Sequence, residues 1–212
     1  MENISYHKSS QDSLHDNLID LIEYVYVNLV ALLNTEQDEN ESLQKIQRDI
    51  SMSCLSILRY ITDNLKHQSL SCTTYILNEK EILVVLVELI EKHPWRISIN
   101  DKWHIRNNNQ YIEEKSDDLG KVTKEEGQVW LTIYNLIFTD ECARNYEINE
   151  FRKNNLLKLR KYLKDSLLDQ IPVLVNLKKT LEELSIQNVS NQFKYNPFII
   201  SCVTELKKSL IH

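Results

Sequence analysis

The stretch ILVVLVELI, residues 82–90, is the most apolar run in the chain. Its apolar side chains cover several sides of a helix rather than one stripe, which predicts a central, buried helix. The run contains Glu88 and is much shorter than the ~20 apolar residues that a membrane-spanning helix needs. Pro94 stops the helix soon after the run ends. We therefore place this helix in the interior of a globular domain.

Polar residues near this run indicate where helices begin. We predict that the central helix covers about residues 78–92, with Asn78 as its N-cap and Glu81 at the third helical position. Thr123 followed by Glu126 has the spacing of a capping box, in which each residue bonds the backbone N–H of the other. This pair predicts the start of the next long helix.

Segments on both sides of the central helix repeat apolar residues at steps of three and four, which is typical of one helix face. The chain has only 2 glycines and 3 prolines, and β-hairpins and phosphate-binding loops rely on glycine for positive φ angles. The pattern predicts an all-α fold, an irregular bundle or solenoid of the armadillo or HEAT kind, with no clean repeat of roughly 40 residues. The other helical segments lie at about 12–33, 43–65, 70–77, 123–137, 141–146, 152–164, 165–186 and 197–210.

The organisation of the chain follows from these segments. Residues 93–122 are polar and irregular, and a loop of this length is often functional or disordered. A short two-stranded piece over 95–99 and 103–105 is the other interpretation of this region. We divide the chain into a flexible N-terminus (1–11), an armadillo-like helical domain that includes the polar loop (12–186), and a linker with a C-terminal helix (187–212).

Charge and cysteine usage limit the partners. The formal net charge is −6, whereas binding to nucleic-acid phosphates favours a basic surplus, so we expect no nucleic-acid partner. The absence of a signal-peptide core and of a membrane-spanning run predicts a cytosolic or nuclear protein with no membrane partner. No two cysteines are close enough in sequence for a zinc finger, so we expect buried, reduced thiols. The cysteines are Cys54, Cys72, Cys142 and Cys202.

The sequence carries no catalytic, metal-binding or phosphate-binding motif, so we expect neither an enzyme nor a cofactor. A metal site made of His93, His104 and loop carboxylates is one alternative, and solvated loop histidines are the other. The acidic residues 113–118 resemble acid–base groups, but catalytic carboxylates need a dry pocket that separates their pKa values. A run of charges in a loop is usually solvated.

Two groups of residues are candidates for binding a partner protein. The basic segment 152–164 is either a solvated helix face or a docking surface for an acidic partner segment. Two tryptophans in the polar loop either pin that loop onto the helices or anchor a partner, since tryptophan is enriched at binding hot spots. The candidate residues are Trp95, Trp103, Arg152, Lys158, Arg160 and Lys161.

Several stretches, in the family's order, resemble the zinc finger MYND domain-containing protein 10 family of assembly factors for axonemal dynein arms. The most specific are GQVW and LLDQIP, and the similarity extends over roughly residues 12–186. The stretches are SILRYITD (56–63), LVELIE (86–91) followed by Pro94 and Trp95, GQVWL (127–131) with YNL (134–136), LLKLR (156–160), LLDQIP (167–172) and, more weakly, LIDLIEY (18–24).

The resemblance implies an armadillo-like helical body that acts as a non-enzymatic scaffold or co-chaperone adaptor in cytoplasmic preassembly of dynein arms. It implies dynein heavy chains as clients, with Hsp90-type chaperones, an FK506-binding immunophilin and a leucine-rich-repeat assembly factor as partners. The family docks the last partner through a MYND zinc finger, which the cysteine spacing rules out in this stretch, so that interaction is not assumed here. The alternative is a helical protein-interaction domain with unrelated partners.

Overall fold

The computed structural model describes residues 17–34, 41–99, 101–107, 110–115 and 120–186, without the side chains of residues 41–44. The helices in this part of the chain are α1 (Leu18–Leu33), α2 (Glu41–Asp63), α3 (Leu70–Thr74), α4 (Ile82–Lys92), α5 (Lys124–Ile137), α6 (Asp140–Asn145), α7 (Glu150–Leu157), α8 (Asp165–Gln170) and α9 (Leu174–Ile186). Single turns follow three of them: a 3-10 turn Leu65–His67 after α2, a π turn Tyr75–Glu79 after α3, and a 3-10 turn Lys158–Lys161 after α7. The strands are β1 (Arg96–Ile99), β2 (Lys102–Asn107) and β3 (Gln110–Glu113).

Helix starts follow the cap chemistry in one case and depart from it in another. The Thr123 hydroxyl accepts a hydrogen bond from the Glu126 backbone N–H at 3.2 Å. Thr123 is therefore confirmed as the N-cap of α5, with Glu126 at the third helical position. The predicted Asn78 cap is wrong, because Asn78 lies inside the π turn and Glu81, in a left-handed conformation with φ 48°, directly precedes α4.

Helix α4 lies at the centre of the core, as its apolar run predicts. It packs against α1, α5 and α7, while α2 packs against α1 and α5. Each fully buried aliphatic side chain of this kind stabilises the fold by roughly 1.5–3 kcal/mol. The buried residues of α4 are Ile82, Leu83, Val85, Leu86, Val87, Leu89 and Ile90.

The polar segment after α4 forms an antiparallel sheet in the order β1-β2-β3. Arg96 of β1 pairs with Ile105 of β2, and Ile105 in turn pairs with Ile112 of β3. The first two strands confirm the two-stranded interpretation of this region, whereas an irregular loop over 93–122 was wrong for the strand residues 96–99, 102–107 and 110–113. The third strand was missed because the tetrapeptide QYIE is too short and too polar to give a clear alternating pattern.

An ion cluster fixes the sheet to the helices. Arg106 of β2 lies between Asp49 of α2 and Glu125 of α5, with its Nη1 2.7 Å from an Asp49 oxygen and its Nε 3.2 Å from a Glu125 oxygen. The Tyr111 hydroxyl on β3 donates a hydrogen bond to the Pro94 carbonyl at 3.0 Å. Because a buried guanidinium is tolerated only when carboxylates compensate it, this cluster holds the sheet at one place on the helices.

The fold is mostly helical, as predicted, and its one sheet corrects the expectation of an all-α structure. Within the described residues, no helix is both long and apolar enough to cross a membrane. The break predicted near residue 164 is confirmed, because α8 begins at Asp165. The flexible N-terminus (1–11) and the C-terminal helix (197–210) lie outside the described residues, and the division into domains stays a prediction.

Candidate partner-binding site

The basic segment 152–164 is not one continuous helix. Helix α7 ends at Leu157, a 3-10 turn covers Lys158–Lys161, and the chain then turns into α8. The cations of the segment therefore have different surroundings.

Arg152 faces the protein rather than a partner. Its Nε lies 2.9 Å from a Glu81 carboxylate oxygen, its Nη1 donates to the Glu147 carbonyl at 2.8 Å, and its guanidinium lies 4.2 Å from the centre of the Tyr146 ring. Only 11% of the side chain is exposed. Burial and the Glu81 charge raise the pKa of Tyr146, so its hydroxyl stays protonated. Its donors hold α7 against the start of α4, and a partner-binding role for Arg152 stays a prediction.

The remaining cations of the segment lie at the surface. Lys158 bonds Glu91 at 2.8 Å, which ties the 3-10 turn to the end of α4. Arg160, Lys161 and Lys164 are exposed, and none of them forms an ion pair with another residue in the described part of the chain. These three side chains are the part of the segment that is open to an acidic partner.

The two tryptophans of the polar segment have opposite surroundings. Trp95 is fully buried and meets the His93 ring edge-to-face, with ring centres 5.8 Å apart. Trp103 lies on the outer face of the sheet with 58% of its side chain exposed, near Ile112 of β3. The burial of Trp95 favours the first interpretation, that it pins the segment to the helices, whereas the exposure of Trp103 leaves it available as a partner anchor.

A polar cavity of about 270 Å³ opens where α4 ends, β1 begins and α5 and α8 start. Titratable groups from separate parts of the chain converge on it, and no local sequence pattern indicates this grouping. The titratable side chains of the lining are those of His93, Arg96, Lys121, Glu126, Tyr162 and Lys164.

His93 caps α4 in a left-handed conformation with φ 47°. Few non-glycine residues adopt this conformation, and the following proline restricts the residue before it further. The imidazole lies edge-to-face with Tyr162 as well as with Trp95, the former at 5.3 Å between ring centres. Burial, Arg96 and Lys164 lower the pKa of His93, so the ring lines the cavity as a neutral group near pH 7.

Among the described residues that line the cavity, Glu126 is the one that carries a carboxylate. Burial raises the pKa of Glu126, while the Arg96 charge opposes that shift. The indole N–H groups of Trp95 and Trp130 face the same carboxylate and also lower its pKa, although neither reaches a normal hydrogen-bond distance. The Glu126 carboxylate is therefore partly enclosed, in the first turn of α5 and beside the two buried indoles.

Hydrogen bonds fix one rim of the cavity. The Gln170 amide of α8 donates to the Gly120 carbonyl at 2.8 Å and accepts from the Val122 N–H at 2.9 Å. The Arg96 Nη2 donates to the Lys121 carbonyl between them at 3.1 Å. This rim is therefore held from both sides before any ligand arrives.

The structure shows where the residues considered for a metal site or for acid–base chemistry lie. His93 ends α4 and His104 lies on β2, and no group of three or more His, Cys, Asp or Glu side chains is placed to hold a metal ion within the described ranges. Glu113 is exposed and bonds Lys102 at 2.7 Å, and that contact lowers the pKa of Glu113. Cys54, Cys72 and Cys142 are buried free thiols, as predicted, and Cys202 lies outside the described residues.

Comparison with curated proteins gives an informative relative. No family model matches the chain, and no solved structure matches it. The zinc finger MYND domain-containing protein 10 homolog of Drosophila melanogaster aligns over 227 positions with 27% identity. The alignment covers 97% of this chain and 49% of that protein, so the chain spans about half the length of the curated relative that it matches. The resemblance found in the motifs is thereby confirmed: the chain is similar, over nearly all of its length, to a zinc finger MYND domain-containing protein 10 homolog.

Proposed function

We propose that this chain is the helical body of a non-enzymatic scaffold, or co-chaperone adaptor, in the cytoplasmic preassembly of axonemal dynein arms. The observation that carries the proposal is the similarity to a zinc finger MYND domain-containing protein 10 homolog across 97% of the chain. The motif resemblance points to the same family and supplies the expected role. The clients would be dynein heavy chains, and the partners Hsp90-type chaperones and an FK506-binding immunophilin.

The structure supports a binding role in physical terms. Stacked helices offer broad surfaces that suit an adaptor for large clients, and we propose that these helices follow an armadillo-like arrangement. Exposed apolar side chains on separate elements, such as Trp103 on the sheet and Phe151 on α7, provide contact area for proteins.

A catalytic role has weaker support. The cavity next to His93 measures about 270 Å³, below the roughly 300–1,000 Å³ that is usual for pockets that enclose a small-molecule substrate. Its acid, Glu126, lies in the first turn of α5, where the Arg96 charge opposes the rise in its pKa. We therefore propose that the cavity binds a group of a partner and does not transform a substrate.

Gene deletion in a ciliated or flagellated cell tests the proposal. We expect loss of outer and inner dynein arms by electron microscopy, loss of motility, and normal transcript levels for dynein heavy chains. Re-expression of the deleted gene should restore the arms, which controls for secondary lesions. Intact arms and normal motility in the deletion strain would refute the assignment.

A second function is favoured by one observation: the chain covers only about half of its relative, so activities of the whole relative need not reside in this half. Under this alternative the chain is a helical interaction domain with unrelated partners. A deletion that leaves dynein arms intact, while a reproducible set of other proteins binds the purified chain, would favour it.

A further inference from the structure

We propose that the cavity lined by His93, Arg96, Tyr162 and Lys164 seats an acidic side chain of a partner protein, and that Arg160 and Lys161 guide the acidic segment towards it. The inference rests on the proposed role as a protein-binding body, and it names the chemistry that one site would recognise. We call the cavity and these two residues the acid-binding site.

The local charge is opposite to that of the whole chain. The protein carries a formal charge of −6, yet the described residues that line the cavity include three cations, Arg96, Lys121 and Lys164, and one carboxylate, that of Glu126. The buried Glu114 carboxylate lies outside this lining, 3.6 Å from Arg96. Arg160 and Lys161 are exposed cations on the 3-10 turn that directly precedes Tyr162 in the chain. A positive patch on an acidic protein attracts and orients acidic segments of other proteins.

Arg96 has hydrogen-bonding capacity to spare. One of its terminal nitrogens bonds the Lys121 carbonyl, and the other lies 3.6 Å from a Glu114 oxygen, which is too long for a strong hydrogen bond. Its Nε is buried and has no hydrogen-bond partner. A buried donor without an acceptor is costly. The carboxylate of a bound partner would give the Arg96 guanidinium a further acceptor.

The cavity is already shaped before a partner binds. His93 stays in its left-handed conformation although this is unfavourable for histidine before proline, and such outliers concentrate at binding sites. Gln170 and Arg96 hold the opposite rim at residues 120–122. A preformed site loses less conformational freedom when it binds, which favours affinity.

Size decides between a side chain and a free metabolite. A cavity of about 270 Å³ is far larger than a single bound water needs, yet it is smaller than the usual enclosed pocket for a small molecule. A Glu or Asp side chain that enters from a bound polypeptide fits these limits. Glu126 opposes an incoming carboxylate, and Arg96 beside it offsets that repulsion.

Fluorescence anisotropy with a labelled peptide tests the acid-binding site on the full chain. The probe is a short fluorescein-labelled peptide of alternating Glu and Ser, with a Lys–Ser peptide and a single-stranded oligouridylate as comparison probes. Lys164→Glu should weaken binding of the Glu–Ser peptide about tenfold or more, the loss expected for one charge-assisted hydrogen bond. Lys179→Glu makes the same charge change on an exposed position of α9 and should weaken it less than about twofold.

Each other outcome overturns the proposal. Equal losses in the two variants would show that only bulk charge matters, and absence of Glu–Ser binding to the wild-type chain would exclude the site. Tighter binding of the oligouridylate through Lys164 would make this a nucleic-acid site instead. Lys164→Gln serves as the second variant if circular dichroism shows that Lys164→Glu does not fold.

The proposed function and the acid-binding site can fail separately. If dynein chains co-purify with a Lys164→Glu protein as well as with the wild type, and the Glu–Ser peptide binds neither, only the acid-binding site is refuted. If the peptide binds as expected and deletion leaves dynein arms intact, only the dynein role is refuted.

Discussion

Replacing Arg106 with methionine should destabilise the protein by about 3 kcal/mol, because it strands two carboxylates beneath the sheet. The Arg106 side chain is 2% exposed and the Glu125 side chain 11%, so their pair is buried, and removal of one partner of a buried pair costs roughly 3–5 kcal/mol. Asp49 is 35% exposed, so water screens most of its share and adds at most ~1 kcal/mol. Methionine fills part of the lost volume and recovers some packing, which keeps the estimate near the lower bound.

Urea unfolding followed by circular dichroism measures this effect. With a slope of roughly 2 kcal/mol per M, the midpoint should fall by about 1.5 M. The matched control is Lys102→Met on the same strand, where the lost partner is the exposed Glu113 at 2.7 Å and the expected cost is below ~1 kcal/mol. Both variants lose one positive charge, so their difference isolates the effect of burial.

A second substitution separates the stranded charge from the lost packing. In the Arg106→Met background, Glu125→Gln removes the buried charge and should restore about half of the lost stability, because a neutral amide is cheaper to bury than an ion. If Arg106→Met and Lys102→Met shift the midpoint equally, or if Glu125→Gln gives no recovery, the ion cluster does not hold the sheet as we describe.

Three further predictions concern the core and the acid-binding site. His93→Gly should be more stable than His93→Ala by about 1 kcal/mol in urea unfolding, because both lose the ring and only glycine adopts φ 47° without strain. Equal stability of the two variants would show that the backbone at residue 93 is not strained. Burial raises the pKa of Glu126 above its ordinary 4.5, so the folded state binds this proton more tightly than the unfolded state does. The free energy of unfolding should therefore fall as the pH rises from about 4.5 through the raised pKa. Glu126→Gln should remove that decline, and an unchanged pH profile in this variant would contradict the prediction. Burial raises the pKa of the Cys54, Cys72 and Cys142 thiols to about 11, so these thiols should react slowly near neutral pH. Peptide mapping after iodoacetamide treatment should find them unmodified in the native protein and modified once urea unfolds the chain. Rapid labelling of the native protein would place them at the surface.

The features that sequence predicted well are local. The apolar run of α4 and the pair Thr123 and Glu126 are properties of neighbouring residues, so helix periodicity and cap chemistry suffice to place them. The start of α4 was missed by a few residues because a π turn absorbed Asn78, and nothing in the local pattern distinguishes that turn from a regular one.

The binding site depends on distant contacts. Arg152 is indistinguishable in sequence from the exposed Arg160, and its role is decided by Glu81, which lies 71 positions away along the chain. Trp95 and Trp103 share the same polar context, and only the docking of the sheet determines which one is buried. Tertiary packing settles such cases, so the candidate residues could be proposed from composition but not sorted.

Affinity purification of the tagged full chain from ciliated cells, with quantitative mass spectrometry of the bound proteins, tests the central claim most directly. We expect axonemal dynein heavy chains to be enriched together with Hsp90-type chaperones, relative to a tagged control protein expressed at the same level. A reproducible set of bound proteins that lacks dynein heavy chains would contradict it.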